Sequence, residues 1–233
     1  MSVRKKPLDG SLGDGESSED FVRSAGMLIQ QGQWAKAERV LKEGISRMPP
    51  DWKPEVCESD HIAFAFWDAQ EFLAYIPYHQ STGDERELVW MAPSYSKAWH
   101  LVAFIAVEQG DWAGALEAID RALALEPDHP AAICEKAMIL AHMNRYKEAY
   151  KLSMKAESIR PWTPSSVRAR ALRGAGITLI DLGRLDEAQT MLKRSLALEP
   201  DNNLARSELA YIDHLRRGGR PTDRRGRSGE GKR

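Results

Sequence analysis

Arg170 and Arg173, one helical turn apart, offer the most directional chemistry in this 233-residue chain. A guanidinium pair on one helix face can grip a carboxylate in two-pronged fashion. His100, Cys134 and His142 are residue types that bind transition metals. His142 lies two helical turns beyond Cys134, which places their backbones about 12 Å apart. One ion with ligand bonds of roughly 2 Å cannot easily hold both, so neither a metal nor a cofactor is expected. His61, Asp68 and His79 would have to converge in one pocket to form a catalytic site. No GxSxG, GxxxxGK[ST], HExxH or GxGxxG motif is present. Glu117, Glu148 and Glu187 sit beside lysines and arginines, which suits solvated helix faces rather than paired catalytic acids. The expectation is a non-catalytic protein.

The elements that must position these residues repeat. Glu19–Pro49, Lys97–Pro127, Ala131–Pro161 and Arg170–Pro200 can be laid over one another. Twelve residues before each closing proline stands an alanine: Ala37, Ala115, Ala149, Ala188. Five earlier stands a residue that tolerates positive φ: Gly32, Gly110, Asn144, Gly183. Seven earlier again is a small one: Ala25, Ala103, Ala137, Gly176. Three further prolines in register by chance is an event on the order of one in ten thousand. Each unit predicts two helices. Trp99, Val102, Ala106 and Val107 recur at helical spacing, then Gly110–Asp111 breaks the run. Trp112, Ala115, Leu116, Ile119, Ala122 and Leu123 form the second amphipathic stripe. The alanines permit close helix approach, and the prolines stop the second helix. Asp128 and Asp201 stand where they would cap the next helix.

Pro161 follows Pro127 by 34 residues, and these motifs resemble the tetratricopeptide repeat (TPR) family. Trp99, Gly110, Trp112, Ala115, Ala122 and Pro127 carry the pattern in one repeat. Ala137, Tyr146, Ala149, Ala156 and Pro161 carry it in the next, and Gly176, Gly183, Ala188 and Pro200 in the last, with Leu185 where an aromatic is usual. Ile133 and Leu172 replace the usual tryptophan. Lys136 and Ser153 stand at apolar positions, which predicts loose packing in the third repeat. Pro200 lies 39 residues after Pro161, so about five extra residues around Trp162–Ser166 lengthen a loop or helix. In this family the first helix of each repeat lines a concave groove. The resemblance places Lys97, His100, Phe104 and Glu108 there, then Cys134, Glu135, Met138 and His142, then Arg170, Arg173, Ile177 and Asp181. Phe104, Met138 and Ile177 form an expected apolar line ringed by charge, suited to a peptide. Relatives that hold acidic chaperone C-termini use a lysine–asparagine–arginine clamp. Here those positions carry His100, Phe104, Glu135, Arg170 and Gly174. Only Arg170 fits, and that role is rejected.

The fold class expected is mostly α: an α-solenoid of helix–turn–helix repeats with a small strand–helix–strand insertion and a C-terminal capping helix. Residues 1–17 read as a disordered tail and 18–51 as the first repeat. Residues 52–95 form the insertion, 96–201 three repeats, 202–217 the cap, and 218–233 a disordered Arg/Gly-rich tail. In 61–67, Ile62, Phe64 and Phe66 alternate with Ala63 and Ala65, a strand pattern. Asp68 caps a short helix bearing Phe72, Leu73 and Ile76, which Pro77 ends early, and 87–93 holds the second strand. The crossover favours parallel pairing; the alternative is a degenerate repeat with a long loop. The FWD…EF…AY segment and the AYIDHLRRGG ending are similar to those of a group of bacterial TPR proteins with no established activity.

Net charge is −1, unequally spread. Eight basic residues against two acidic give 216–233 a charge of +6, leaving −7 for the remainder. Such a tail would solubilise, fold over the acidic body, or contact nucleic-acid phosphates, though no aromatic residue there could stack on bases. Only Cys57 and Cys134 are present, which fits a reducing compartment. With no apolar run of membrane-spanning length, a cytoplasmic setting is expected. The function expected is an adaptor or assembly factor that binds a protein or peptide in the groove. The alternatives are a nucleic-acid-associated adaptor using the tail and an enzyme with its site in the insertion. Partner identity and oligomeric state are not legible in the sequence.

Overall fold

The computed structural model describes residues 21–221. In chain order it comprises α1 (Phe21–Gln30), α2 (Trp34–Ser46), β1 (Glu55–Cys57), β2 (His61–Phe64), α3 (Ala69–Ser81), β3 (Glu87–Trp90), α4 (Tyr95–Glu108), α5 (Trp112–Leu125), α6 (Pro130–His142), α7 (Tyr146–Ser158), α8 (Ser165–Asp181), α9 (Leu185–Leu198) and α10 (Asn203–Arg216). α1/α2, α4/α5, α6/α7 and α8/α9 pack as helix pairs, and α10 lies against α9. Residues 1–17 and most of the basic tail lie outside the described residues.

The shared residues explain the pairing. Gly32, Gly110, Asn144 and Gly183 have φ of 70°, 76°, 62° and 74°, the left-handed conformation that closes the first helix of each pair. Ala37, Ala115, Ala149 and Ala188 are fully buried, as are Ala25 and Ala103. Gly176 is smaller than its counterparts because Leu192 crowds it: a Cβ there would stand 2.7 Å from the leucine Cγ. Ile133 and Leu172, which replace tryptophan, are both buried. Ser153 is buried as well, and Lys136 pairs with Asp120 at 2.7 Å.

The insertion is a three-stranded sheet in the order β1-β2-β3. β2 and β3 are parallel, with Ile62 opposite Leu88 and Phe64 opposite Trp90, and α3 is the crossover. β1 is an antiparallel edge strand that the sequence reading missed; three residues, Glu-Val-Cys, are too few to display an alternation. The small face, Ala63 and Ala65, packs with Met91, Trp52 and Val56. The aromatic face, Phe64 and Phe66 with Leu88, packs with Phe72, Tyr75 and Trp90. The third strand and both covered faces supply what an isolated strand pair lacks.

Several local expectations need correction. The strands end at Phe64 and Trp90, short of 67 and 93. α3 continues through Pro77 to Ser81. Proline cannot bond the Leu73 carbonyl, but Leu73 and Pro77 lie on the exposed face, where water can serve it. Asp128 does not cap α6. The N-cap is His129 ahead of Pro130, and the Asp128 carboxylate instead takes Arg160. Asn202, not Asp201, caps α10 by accepting from the Ala205 N–H. The extra residues after Pro161 fall largely in α8, which has 17 residues against 13 in α6. Gly218, φ 84°, follows the end of α10.

Candidate functional site

Three of the expected groove side chains are joined across successive repeats. Glu135 on α6 is buried and lies between His100 on α4 and Arg170 on α8. Burial opposes ionisation of Glu135, yet its His100 and Arg170 neighbours outweigh that and hold the carboxyl at about 2. Arg170 supplies the ion pair through Nη2, while His100 Nε2 stands 3.7 Å away, beyond hydrogen-bond range. Burial pushes the His100 imidazole down. Arg173 donates to Glu199 at 2.9 Å. The expected two-arginine grip is therefore corrected: each guanidinium already has a carboxylate of the chain's own. Arg170 remains 40% exposed, and this Glu135 bond engages one of its five N–H donors.

The insertion packs against the expected groove positions at the start of α4. Trp67 stacks on His129, ring centroids 3.6 Å apart, and leans on His100 at 4.8 Å. Its indole N–H lies 2.8 Å from Glu126 Oε2 and 3.0 Å from Ser96 Oγ. Lys97, an expected groove residue, donates through Nζ to the Trp67 carbonyl, and burial lowers its pKa. Phe104 does not join an open apolar line; its ring packs against Trp34 at 6.2 Å. Glu108, at the end of α4, is exposed.

An open cleft of about 790 Å³ lies further along, between α6, α8 and α10. Of the expected groove residues, Cys134, Met138, His142, Arg170, Arg173, Ile177 and Asp181 line it. Lys97, His100, Phe104, Glu108 and Glu135 do not. Burial pushes the Cys134 thiol up to about 11, so it serves as wall rather than nucleophile. The facing wall comes from α10: Leu204, Glu208, Tyr211 and Leu215. The sequence reading missed these four, although their spacing of 4, 3 and 4 is one helical stripe. It neighbours the Ala205, Leu209 and Ile212 stripe that packs on α9.

The other sets of chemical residues do not converge. His142 stacks on Trp112 at 4.2 Å, whereas His100 belongs to Trp67. Among the described residues no three His, Cys, Asp or Glu side chains form a metal-holding group. In the insertion, His61 bonds Asp60, Asp68 caps α3, and buried His79 bonds the Arg86 carbonyl at 3.1 Å. Among the described residues no helix is long and apolar enough to cross a membrane.

A tetratricopeptide-repeat family model matches residues 106–175, and a second matches residues 173–223. The Protein CTR9 homolog of Arabidopsis thaliana is 25% identical over 198 residues, covering 79% of this chain. The match spans only 18% of that plant protein. Among solved structures, PilF of Pseudomonas aeruginosa aligns at a TM-score of 0.60 and 15% identity, over 86% of this chain and 69% of its own. MamA of Desulfovibrio magneticus RS-1 aligns at 0.56 and 16% identity, over 88% of this chain and 87% of its own. Those likenesses concern the fold. With the positive-φ turns, the buried alanines and two repeat models in tandem, the chain belongs to the tetratricopeptide-repeat family.

Proposed function

We propose that this protein is an adaptor that docks a short segment of a partner protein in the cleft between α6, α8 and α10. The observation that carries this reading is the character of the cleft. Met138, Ile177, Tyr211 and Leu215 line it, and Leu204 at its wall is 51% exposed. About 790 Å³ accommodates a few side chains rather than a folded domain. Arg170 supplies a half-exposed guanidinium at the same wall. The segment that fits has two or three apolar anchors and an acidic residue that shares Arg170 with Glu135. Apolar anchors supply affinity, while the charge chiefly steers encounter.

The test is capture of partners from the native cell with residues 1–221, followed by binding of a synthetic peptide from the partner's contact region. Ile177→Asp and Tyr211→Ala are each expected to weaken that peptide tenfold or more, on the order of 1.4 kcal/mol. Phe104→Ala is expected to leave it within twofold, because Phe104 packs on Trp34 outside the cleft. Equal binding by the Ile177 and Tyr211 variants would remove the cleft from consideration.

A further inference from the structure

The groove of a helical-repeat array is a continuous trough, yet here the chain's own insertion lies on its first positions, Lys97 and His100. Trp67 and Glu71 of the insertion reach residues of three other segments: α4, the α5–α6 connection and the α7–α8 connection. The Glu71 carboxylate takes the Trp67 N–H at 2.9 Å and Arg160 Nη1 at 3.0 Å. It also contacts His129 Nε2 at 3.2 Å, without hydrogen-bond alignment. Arg160, between α7 and α8, binds Asp128 at 2.6 Å and Glu126 at 3.3 Å. Glu126 in turn takes the Trp67 indole N–H and the Ser96 hydroxyl. Apart from Asp128, which is exposed, the network is dry: Glu71, Glu126 and His129 are under a tenth exposed, and the Arg160 side chain is 10% exposed. Around it, Trp162 packs edge-on to Tyr75 at 5.1 Å, and Ser166 bonds Gln70 at 3.0 Å.

A releasable lid is held by few contacts and solvated ones. A buried ionic and aromatic network is lost all at once or not at all, because each carboxylate that loses its partner is left desolvated. We infer that the strand–helix–strand insertion is a permanent plug over the first turns of α4 and α6, seated by Trp67 and Glu71. It confines docking to the α6–α8–α10 end and so selects partners that offer a compact segment rather than one threading the whole groove. The inference rests on the docking reading above, but its test needs no partner and can fail separately.

The experiment is native-state hydrogen exchange on the full chain, read by mass spectrometry. Amides of 61–81 are expected to exchange with the same opening equilibrium as α4–α6, and to share its denaturant dependence. Exchange of 61–81 about 100-fold or more faster, with α4–α6 still protected, would make the insertion a lid and overturn the inference. Glu71→Gln supplies the second arm. It keeps the shape and removes the charge facing Arg160. It is expected to speed exchange at least tenfold across 61–81 while α9 and α10 keep their protection. Unchanged exchange across 61–81 in that variant would show that Glu71 does not seat the plug.

Discussion

Arg173 lines the cleft and donates to Glu199 at 2.9 Å. Read as an exposed groove cation, its reversal to glutamate should weaken partner binding, mainly by slowing association. In the fold its side chain is 15% exposed and bound to Glu199. Arg173→Glu therefore sets two carboxylates together in a half-dry site. A stability loss of about 1–3 kcal/mol is expected in urea denaturation, and wild-type stability would refute the pairing. Glu135 gives the clearest pH signature. Its carboxyl lies at about 2, below the ordinary value of 4.5. A depressed acid stabilises the fold fully above its unfolded value and loses that contribution as pH falls through its folded value. The stability difference between parent and Glu135→Gln should be largest above pH 4.5 and shrink as pH falls towards 2. The change should be on the order of 3 kcal/mol. A difference independent of pH would show that Arg170 does not hold Glu135 ionised. Pairings such as these join residues 26 and 35 positions apart, and no local pattern in the sequence announces them.

At the scale of elements, the repeat helices were legible because their determinants are local. A positive-φ turn residue, a small contact residue and a stop proline recur at fixed offsets. Ala149 is fully buried at such a contact. Ala149→Asp should cost several kcal/mol, overpacking adding about 1–3 to the penalty of an unpaired buried charge. An unchanged melting temperature would show the register to be wrong. The parallel β2–α3–β3 unit was legible from the Ile62/Phe64/Phe66 alternation, whereas β1 was too short to show one. The role of α10 was half legible. The cap over 202–217 was expected and its Ala205/Leu209/Ile212 stripe packs on α9, but the adjoining Leu204/Glu208/Tyr211/Leu215 stripe was not read as a wall. Ile212 is fully buried against α9. Ile212→Ala should cost about 2–5 kcal/mol in denaturant, and a loss near zero would deny α10 its packing role.

For the whole molecule, the insertion packs at the α4 end of the groove, and α10 walls the cleft at the other end. The sequence could place groove positions on first helices, because that follows from the repeat. It could not reveal that Trp67, some thirty residues before the α4 groove positions Lys97 and His100, would occupy their end of it. Nor could it show that α10 would wall the other end. The most direct measurement is site-specific photocrosslinking in the native cell from positions 177, 211, 104 and 73, with the joined peptides identified by mass spectrometry. Positions 177 and 211 should capture one common partner segment with apolar anchors and an acidic residue. Position 104, packed on Trp34, and position 73, on the outer face of α3, should not. Capture of the same segment from position 73, with none from 177 or 211, would place recognition on the insertion and contradict docking in the cleft.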